Sequence, residues 1–337
     1  MTLRILADDL TGALDAAAPF AHPENPVRLC LGGVAPQLPR VTISTESRDF
    51  SAGDASLAVA AATERLKTGA APETLWFKKV DSVLRGNPLT ETLAMMQAGG
   101  FARCIFAPAF PAMGRMTRNG RHMVRNADDD WVTVPPGDLS AAFARLAPGL
   151  EILIPDAETQ DGLRRAIAPW QGVPGTLWAG SRGLAEALAA DVRPLPSPRI
   201  SMFILGTTHP ATRAQAARLL DVTRNPPSGG QLVPSAADPM LLDPVPAARN
   251  GAETRAALRD AARRLVAPID GSAIYVVGGD SLTEVLLGAG AEALECQGEI
   301  GAGLPQSWVI GGRLNGVTLI TKSGGFGGPD LLCGMLR

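Results

Sequence analysis

Residues 3–21 read LRILADDLTGALDAAAPFA, a stretch that passes directly from one type of secondary structure to another. The apolar run LRILA is typical of a buried strand, and the alanine-rich TGALDAAAPFA favours a helix. We predict further strands in VTISTES, TLWFKKVDS, RCIFAPA, ISMFILGT and SAIYVVGGD, and further helices in SLAVAAATERLKTG, SRGLAEALAA, ATRAQAARLL, ETRAALRDAARRLV and SLTEVLLGAGAEAL. This alternation predicts an α/β fold with mainly parallel sheets flanked by helices.

The length of the chain predicts two domains. Its 337 residues exceed one ordinary core, and DVRPLPSPR at 191–199 interrupts both periodicities with three prolines and a serine. We therefore predict a first domain over residues 1–190, a linker over 191–199 and a second domain over 200–337. Residues 225–250 are rich in proline and glycine and are expected to form an irregular surface stretch.

The composition argues against several classes of protein. A net charge of −2 and an aromatic content of 4% lack the basic stripe and stacking platforms of nucleic-acid binders. No apolar run approaches the roughly 18 residues of a membrane helix, so no membrane partner and a cytoplasmic location are expected. The four cysteines and three histidines are scattered, which fits reduced thiols and leaves little material for a histidine metal cluster. The oligomeric state stays open, a homo-oligomer included.

An acidic pair, Asp8 and Asp9, lies where the first predicted strand gives way to a helix. In open α/β sheets this carboxyl end of a strand is where ligands bind. One of the two carboxylates is expected to cap the helix, a task that needs only one. The other is then free for a ligand hydroxyl or a hydrated magnesium ion.

A second charged stretch, FKKVDSVLRGNPLTE at 77–91, holds two of the four lysines of an arginine-rich chain. Lys78, Asp81, Ser82 and Arg85 crowd a strand end and the turn after it, which favours an anion-binding wall over a solvated strand end with weak ion pairs. Arg115 follows Gly114 in the turn-rich APAFPAMGRMTRNGRHM, and it is either a ligand contact or a solvent-exposed arginine.

Two glycine-rich stretches indicate a phosphate site in the second half. YVVGGDSLTEVLL reads as a strand, a turn at Gly278 and Gly279, and a helix whose beginning can hold phosphate. The alternative is a tight turn with Asp280 or Ser281 as the helix cap. KSGGFGG at 322–328 adds a loop whose backbone, at Gly324 and Gly325, can approach a nucleotide while Lys322 meets a phosphate. GAGAEA at 288–293 resembles a dinucleotide fingerprint, but it falls at the end of a helix, whereas the fingerprint requires the start of one.

These motifs together resemble the four-carbon acid sugar kinases. The resemblance extends over nearly the whole chain, through ADDLTGALDAA, TESR, KKVDSVLRGN, APAFPAMGR, PDAETQDGLRRAI, WAGSRGLAEALA, TRAQ, VVGGDS and KSGGFG. It implies that the first domain binds a sugar acid, that the second binds ATP with Mg²⁺, and that the terminal hydroxyl is phosphorylated in the cleft between them. Threonate, erythronate and 3-oxo-tetronate are the substrates that it implies.

The residues themselves suggest which group accepts the proton. Asp9 is favoured as the catalytic base and Asp8 is its rival, because the alternation in RILADD predicts that the two point to opposite faces, with Asp9 nearer the beginning of the helix. Thr207 and Thr208 precede TRAQ, where the family has a nucleotide-binding turn rich in serine and glycine. The magnesium ligands are left unassigned.

Two departures keep other functions open. The chain is shorter than usual between TRAQ and GGDS, and His209 replaces a small residue in the nucleotide turn. The alternatives are a catalytically weak sugar-acid binding or regulatory protein and a nicotinamide-dependent dehydrogenase. The dehydrogenase lacks a fingerprint after its first strand, and the binding protein is hard to reconcile with an intact KSGGFG.

Overall fold

The computed structural model describes residues 1–32, 37–126, 128–189, 192–268 and 270–336. It divides into two compact units. The first comprises Met1–Phe20 and Gly33–Val192, and the second comprises Ala21–Gly32 and Arg193–Arg337.

The strands and helices are numbered along the chain. The strands are β1 Leu3–Ala7, β2 Val27–Cys30, β3 Arg40–Ser44, β4 Leu75–Lys79, β5 Arg103–Ala107, β6 Arg115–Arg118, β7 Arg121–Arg125, β8 Trp131–Asp138, β9 Glu151–Leu153, β10 Thr176–Gly180, β11 Ile200–Leu205, β12 Met240–Leu242, β13 Ala273–Val277, β14 Ala293–Glu299, β15 Pro305–Ile310 and β16 Thr318–Lys322. The helices are α1 Leu10–Ala17, α2 Ala52–Lys67, α3 Pro88–Gly99, α4 Leu139–Leu146, α5 Gln160–Ile167, α6 Arg182–Leu188, α7 Pro210–Leu219, α8 Gly251–Arg264, α9 Gly279–Ala289 and α10 Leu331–Gly334.

The first unit is built on a parallel sheet in the order β3-β1-β4-β10-β5-β9. Every residue of β1 is buried, and Arg4 on one face donates from Nε to the carbonyl of Leu66 in α2 at 2.8 Å. Helices α2 and α3 pack together on that face, whereas α1 packs with α6 on the other. The chain therefore leaves β1 and β4 towards opposite faces, which opens a crevice at their carboxyl ends. A small antiparallel sheet, β6-β7-β8, completes the unit.

The second unit has the strand order β12-β11-β13-β16-β15-β14-β2. The first four strands are parallel, and the pairings from β16 to β2 are antiparallel. Short connections between β14, β15 and β16 impose this change, because parallel neighbours need a long crossover. Helices α7 and α10 share a core with Phe203 and Tyr275, and α8 packs against α9. The strand order again reverses between β11 and β13, where ligands are expected.

Residues 21–32 pack with the second unit although they lie early in the chain. The reason is strand pairing, since Val27–Cys30 lies antiparallel to Ala293–Cys296 of β14. A single division near residue 190, as the sequence predicts, does not produce this arrangement. In the predicted linker, residue 191 lies outside the described residues, and Leu195 donates its N–H to the carbonyl of Glu299 at 2.7 Å.

Two details of the second unit differ from the sequence prediction. The stretch 225–250 contains the edge strand β12, whose Met240 is fully buried, so it is not wholly irregular. The helix predicted to reach residue 294 ends at Ala289, because Gly290 adopts φ 69° and stops it. Among the described residues, no helix combines the length and the apolar character needed to cross a membrane.

Candidate functional site

The crevice at the carboxyl ends of β1 and β4 contains a cluster of opposite charges. We call it the acidic cluster, and its members are Asp8, Asp9, Arg48, Asp81 and Arg85. The two aspartates follow β1, Arg48 follows β3, and the turn from Asp81 to Arg85 follows β4. Parallel strands bring these three loops to one edge of the sheet, so residues far apart in sequence meet there.

Arg48 binds both members of the acidic pair. Its Nε and Nη2 donate to the two oxygens of Asp8 at 2.8 and 3.0 Å. Its Nη1 and Nη2 donate to the two oxygens of Asp9 at 3.1 and 2.8 Å. The prediction that the two carboxylates point to opposite faces is therefore wrong. The strand ends at Ala7, and strand alternation does not apply beyond it.

Asp9 is the cap of α1, as expected for one member of the pair. Its Oδ1 accepts from the N–H of Gly12 at 2.9 Å, and its Oδ2 accepts from the Thr11 hydroxyl at 2.7 Å. A Cβ at position 12 would collide with the Asp9 carboxylate, so glycine is required there. With the two bonds from Arg48, Asp9 receives four donors, which fills the roughly four acceptor positions of a carboxylate.

Asp8 is more deeply buried and less completely bonded. It is 3% exposed, and Arg48 supplies its hydrogen bonds. Burial alone would raise the pKa of Asp8, but the hydrogen bonds and charge of Arg48, together with nearby Lys78 and Lys79, hold that pKa below its usual value. Asp8 is therefore ionised, and about two of its acceptor positions receive no hydrogen bond from the residues that the structure describes.

Asp81 organises the turn that follows β4. Its Oδ2 accepts from the N–H groups of Val83 and Arg85 at 3.0 and 3.2 Å, and both oxygens bind the Arg85 guanidinium. Burial would raise the pKa of Asp81, but Arg85 and Arg48 lower it well below its usual range. Leu84 adopts φ 60° inside this turn, an uncommon conformation for a leucine that the hydrogen bonds hold in place.

The two adjacent lysines of β4 point to opposite faces of the sheet. Lys78 Nζ lies 2.7 Å from Glu91 Oε2 beneath α3, and the exposed fractions of the two side chains are 0% and 1%. Lys79 lies on the α1 side, near Gly12, and donates to the carbonyl of Val80 at 3.0 Å. Lys78 is thus a buried partner of Glu91 rather than an exposed cation of the predicted wall.

Ser82 and Arg115 border the acidic cluster on the side of the small sheet. The carbonyl of Ser82 lies 2.8 Å from Nε2 of the buried His122. Arg115 forms a hydrogen bond from Nη1 to the carbonyl of Met113, while its buried Nε has no acceptor among the described residues. Burial lowers the pKa of Arg115, and the charge of Asp81 opposes that shift.

Sequence reasoning did not assign Arg48, Glu91 or Ser47 to the site. Ser47 donates to Glu91 Oε1 at 2.7 Å and so ties the loop that carries Arg48 to the buried pair. The available signal was the position of Arg48 directly after the predicted strand VTISTES, the same criterion that identified the acidic pair. Glu91 gave no such signal, because it lies inside a helix.

In the second unit, the loops after β11, β13 and β16 converge. A Cβ at Gly324 would lie 3.1 Å from Thr207 Oγ1, and one at Gly325 would lie 3.0 Å from His209 Nε2. Gly278 donates its N–H to the carbonyl of Lys322 at 3.0 Å. The predicted nucleotide-binding residues are thereby brought together, with Thr208 and Asp280 exposed beside them.

The beginning of α9 lacks a side-chain cap. Gly278 occupies the cap position with φ 96°, which only glycine adopts readily, so neither Asp280 nor Ser281 is the cap considered from the sequence. Ser281 is buried and packs against Gly206 instead. The N–H groups at the beginning of α9, from Gly279 onward, are consequently not covered by a capping side chain.

Lys322 ends β16 and is folded into its own loop. It is 1% exposed, and its Nζ donates to the carbonyls of Ser323 and Phe326 at 3.0 and 3.1 Å. Burial lowers its pKa to about 8. The described residues include no group of three or more histidine, cysteine, aspartate or glutamate side chains arranged to hold a metal ion.

Comparison with known proteins matches the two halves of the chain to two different families of domains. Residues 3–133 match the family model of a sugar-binding N-terminal domain, and residues 231–332 match that of a nucleotide-binding C-terminal domain. A D-threonate kinase from Bordetella bronchiseptica is 30% identical over 97% of this chain and 95% of its own length. A D-threonate kinase from Salmonella typhimurium is 26% identical over 100% of this chain and 98% of its own length.

Solved structures share the fold. A protein from Salmonella typhimurium described as a putative tRNA synthase superposes with a TM-score of 0.72 at 20% identity, covering 98% of each chain. The Haemophilus influenzae protein HI1011 superposes with a TM-score of 0.64 at 16% identity, covering 99% of this chain and 100% of its own. At such identities the likeness concerns the fold alone.

Proposed function

The chain belongs to the four-carbon acid sugar kinases, and we propose that it transfers the γ-phosphoryl group of ATP to the terminal hydroxyl of threonate, erythronate or a 3-oxo-tetronate. The sugar acid is assigned to the first unit and ATP to the second, in line with the two family models. The observation that carries the chemistry is Asp8, an ionised carboxylate that Arg48 holds in place at a strand end and that retains unfilled acceptor positions.

Asp8 is the better candidate to receive the substrate hydroxyl. The phosphoryl-transfer transition state is loose, so the protein mainly has to aim the hydroxyl and accept its proton late. Asp9 was favoured from the sequence, but its four donors leave no acceptor position for a hydroxyl. We therefore assign Asp9 to fixing Arg48 and α1, and Asp8 to the hydroxyl.

Arg115 is the best candidate to bind the substrate carboxylate. The three carboxylates of the acidic cluster are balanced by three nearby cations: Arg48, Arg85 and Lys79. An anionic substrate needs a further positive charge, and Arg115 lies close enough to Asp81 for the two charges to interact. Arg115 makes no ion pair with any described residue, and its Nη1 donates to Met113, so the Nε and Nη2 edge of the guanidinium is left for a bidentate contact.

The second unit offers a site for the phosphates of ATP with magnesium. When bound, Mg²⁺ would neutralise phosphate charge, and it needs only one or two carboxylates in addition to phosphates and water. Asp280 fits that requirement, because it is exposed in the first turn of α9 and forms no ion pair within the described residues. The uncapped N–H groups of this helix would bind phosphate oxygens.

A coupled assay for ADP release, run over both stereoisomers of threonate and erythronate, their 3-oxo forms and longer aldonates, tests the proposal. We expect turnover with at least one four-carbon acid and little with five- or six-carbon acids. Calorimetric binding of a sugar acid without turnover would indicate a binding protein instead. Reduction or oxidation of a nicotinamide cofactor with the same acids would indicate a dehydrogenase. Either result would overturn the proposal.

A further inference from the structure

Side-chain donors beneath the glycine loop, residues 322–328, bind its carbonyl groups. Lys322 Nζ binds the carbonyls of Ser323 and Phe326 at 3.0 and 3.1 Å. Gln215 Nε2, from α7, lies 3.1, 3.0 and 2.9 Å from the carbonyls of Phe326, Gly327 and Gly328. The carbonyl of Gly324 accepts from the Thr212 hydroxyl at 2.6 Å. Five consecutive or near-consecutive carbonyls therefore point towards buried donors.

This anchoring fixes the direction of the N–H groups. In a trans peptide the C=O of one residue and the N–H of the next point in opposite directions. The bound carbonyls of residues 323, 324, 326 and 327 therefore turn four N–H groups away from the anchoring side chains. These are the N–H groups of Gly324, Gly325, Gly327 and Gly328, which donate to no other described residue.

The four residues are all glycines, which lets a ligand approach their backbone N–H groups closely. Each residue therefore has no side chain of its own to shield its N–H group from an approaching oxygen. Rows of backbone N–H groups in such turns bind anions such as phosphate. The anchoring side chains are themselves buried, since Gln215 and Thr212 are 0% exposed and Lys322 is 1% exposed.

We propose that Lys322, Gln215 and Thr212 are positioning residues that hold the glycine loop by its carbonyls, so that the N–H groups of Gly324, Gly325, Gly327 and Gly328 bind a nucleotide phosphate. This inference rests on the proposed function for its ligand. It differs from the expectation that Lys322 meets the phosphate, because the lysine is only 1% exposed and two of its three N–H donors are bonded to the carbonyls of Ser323 and Phe326. Lys322 then acts as a hydrogen-bond donor, and its charge is not essential.

A matched pair of substitutions tests whether Lys322 acts by donating hydrogen bonds to the loop or by its positive charge. Lys322→Gln and Lys322→Met have side chains of similar size, but only glutamine can donate to carbonyls, as Gln215 already does. Calorimetry with Mg-ATP should show a dissociation constant about tenfold or more higher for Lys322→Met, which corresponds to one or two lost hydrogen bonds. We expect Gln215→Leu to behave similarly and Lys322→Gln to remain within about threefold of the wild type.

The control is Lys67→Met, which removes a lysine whose side chain is 42% exposed on α2 and should leave ATP binding unchanged. If the wild-type protein binds ATP and the two variants Lys322→Gln and Lys322→Met lose ATP affinity equally, this inference is overturned and the kinase proposal stands. A wild-type protein that binds no ATP would overturn both.

A measurement without nucleotide examines the loop itself. Chymotrypsin should cleave after Phe326 faster in Lys322→Met and Gln215→Leu than in the wild type and in Lys322→Gln, because the loop loses its anchors. Identical cleavage rates in all four proteins would overturn the inference. The assay does not depend on turnover, so it separates a loosened loop from a failed reaction.

Discussion

The Lys78 amine lies 2.7 Å from the Glu91 carboxylate, and this ion pair is closed off from solvent on all sides. Ser47 donates to the other oxygen of Glu91 at 2.7 Å, and its hydroxyl is also 2.7 Å from that of Thr45. The backbone N–H of Thr45 donates to the carbonyl of Ala7, the residue before Asp8, at 2.9 Å, which leaves the Thr45 hydroxyl proton for Ser47. One network of hydrogen bonds, partly buried, therefore joins the loops that carry Arg48 and Asp8.

Breaking this pair on one side should destabilise the protein strongly. Lys78→Met leaves a buried carboxylate without its cation, and we expect it to lower the free energy of unfolding by about 3 to 5 kcal/mol. The double variant Lys78→Met, Glu91→Leu should recover most of that loss, because no charge is left unpaired. Urea unfolding of the two variants and the wild type measures both values. A double variant as unstable as the single one would contradict the explanation.

Asp8 and Asp9 should respond differently to removal of their charge. Asp8→Asn should lower turnover by roughly 10² to 10⁴, as for a group that accepts a proton, with little change in the KM for ATP. Compared with Asp8→Asn, Asp9→Asn should reduce turnover less and the free energy of unfolding more. It weakens the hydrogen bonds to Arg48, while asparagine still caps α1. Steady-state kinetics and urea unfolding provide both readings. Full activity of Asp8→Asn with an inactive, folded Asp9→Asn would reverse the two assignments.

Arg115 should discriminate between an acid and its neutral analogue. Arg115→Met should raise the KM for the sugar acid by about tenfold to a hundredfold, in line with a lost charged hydrogen bond, and should barely affect the polyol in which the carboxylate is reduced. Arg118→Met, on the same strand but paired with Glu158 at the surface, is the matched control. If wild-type protein phosphorylates acid and polyol equally well, no carboxylate site exists there.

Arg85→Lys is a separate test of the turn after β4. Lysine keeps the charge but cannot reproduce the planar guanidinium that binds both oxygens of Asp81. We expect a higher KM for the sugar acid at unchanged KM for ATP, because the turn next to the acidic cluster loosens. Equal kinetic constants for variant and wild type would show that the charge of Arg85 is sufficient.

Stability should fall in acid because of Asp81 and Asp8. The pKa of each is lower in the folded protein than in the unfolded chain, so the unfolded chain binds more protons as the pH drops. Their contribution is complete above the unfolded value of about 3.9 and is lost as the pH falls below it. Urea unfolding from pH 7 to pH 3 should show a shallower loss for Asp81→Asn than for wild type. Parallel curves would assign the acid sensitivity to other groups.

The sequence alone predicted several of the strands that carry the site and several of the loops that follow them. The short apolar runs predicted β1, β11 and β13, because burial on both faces favours nearly continuous apolar strands, and TLWFKK predicted β4. The charged or glycine-rich stretches that end three of those strands marked Asp8, Asp81 and Gly278, and the glycine-rich KSGGFGG marked Lys322 without a predicted strand before it. A residue that directly follows a predicted strand can be identified from the neighbouring residues alone, so the sequence is sufficient to mark it as a candidate site residue.

Only the tertiary structure decided what each side chain contacts. Arg48 is 40 residues from Asp8 in sequence, and α3 brings Glu91 over Lys78 from a separate segment, so no local pattern pairs them. Strand pairing likewise placed residues 21–32 in the second unit. The same applies to Lys322, which the sequence offered to a phosphate and the structure bonds to Ser323 and Phe326. The partner of a charged side chain is whichever group folding brings within about 3 Å of it, and the packing of the whole chain sets that distance.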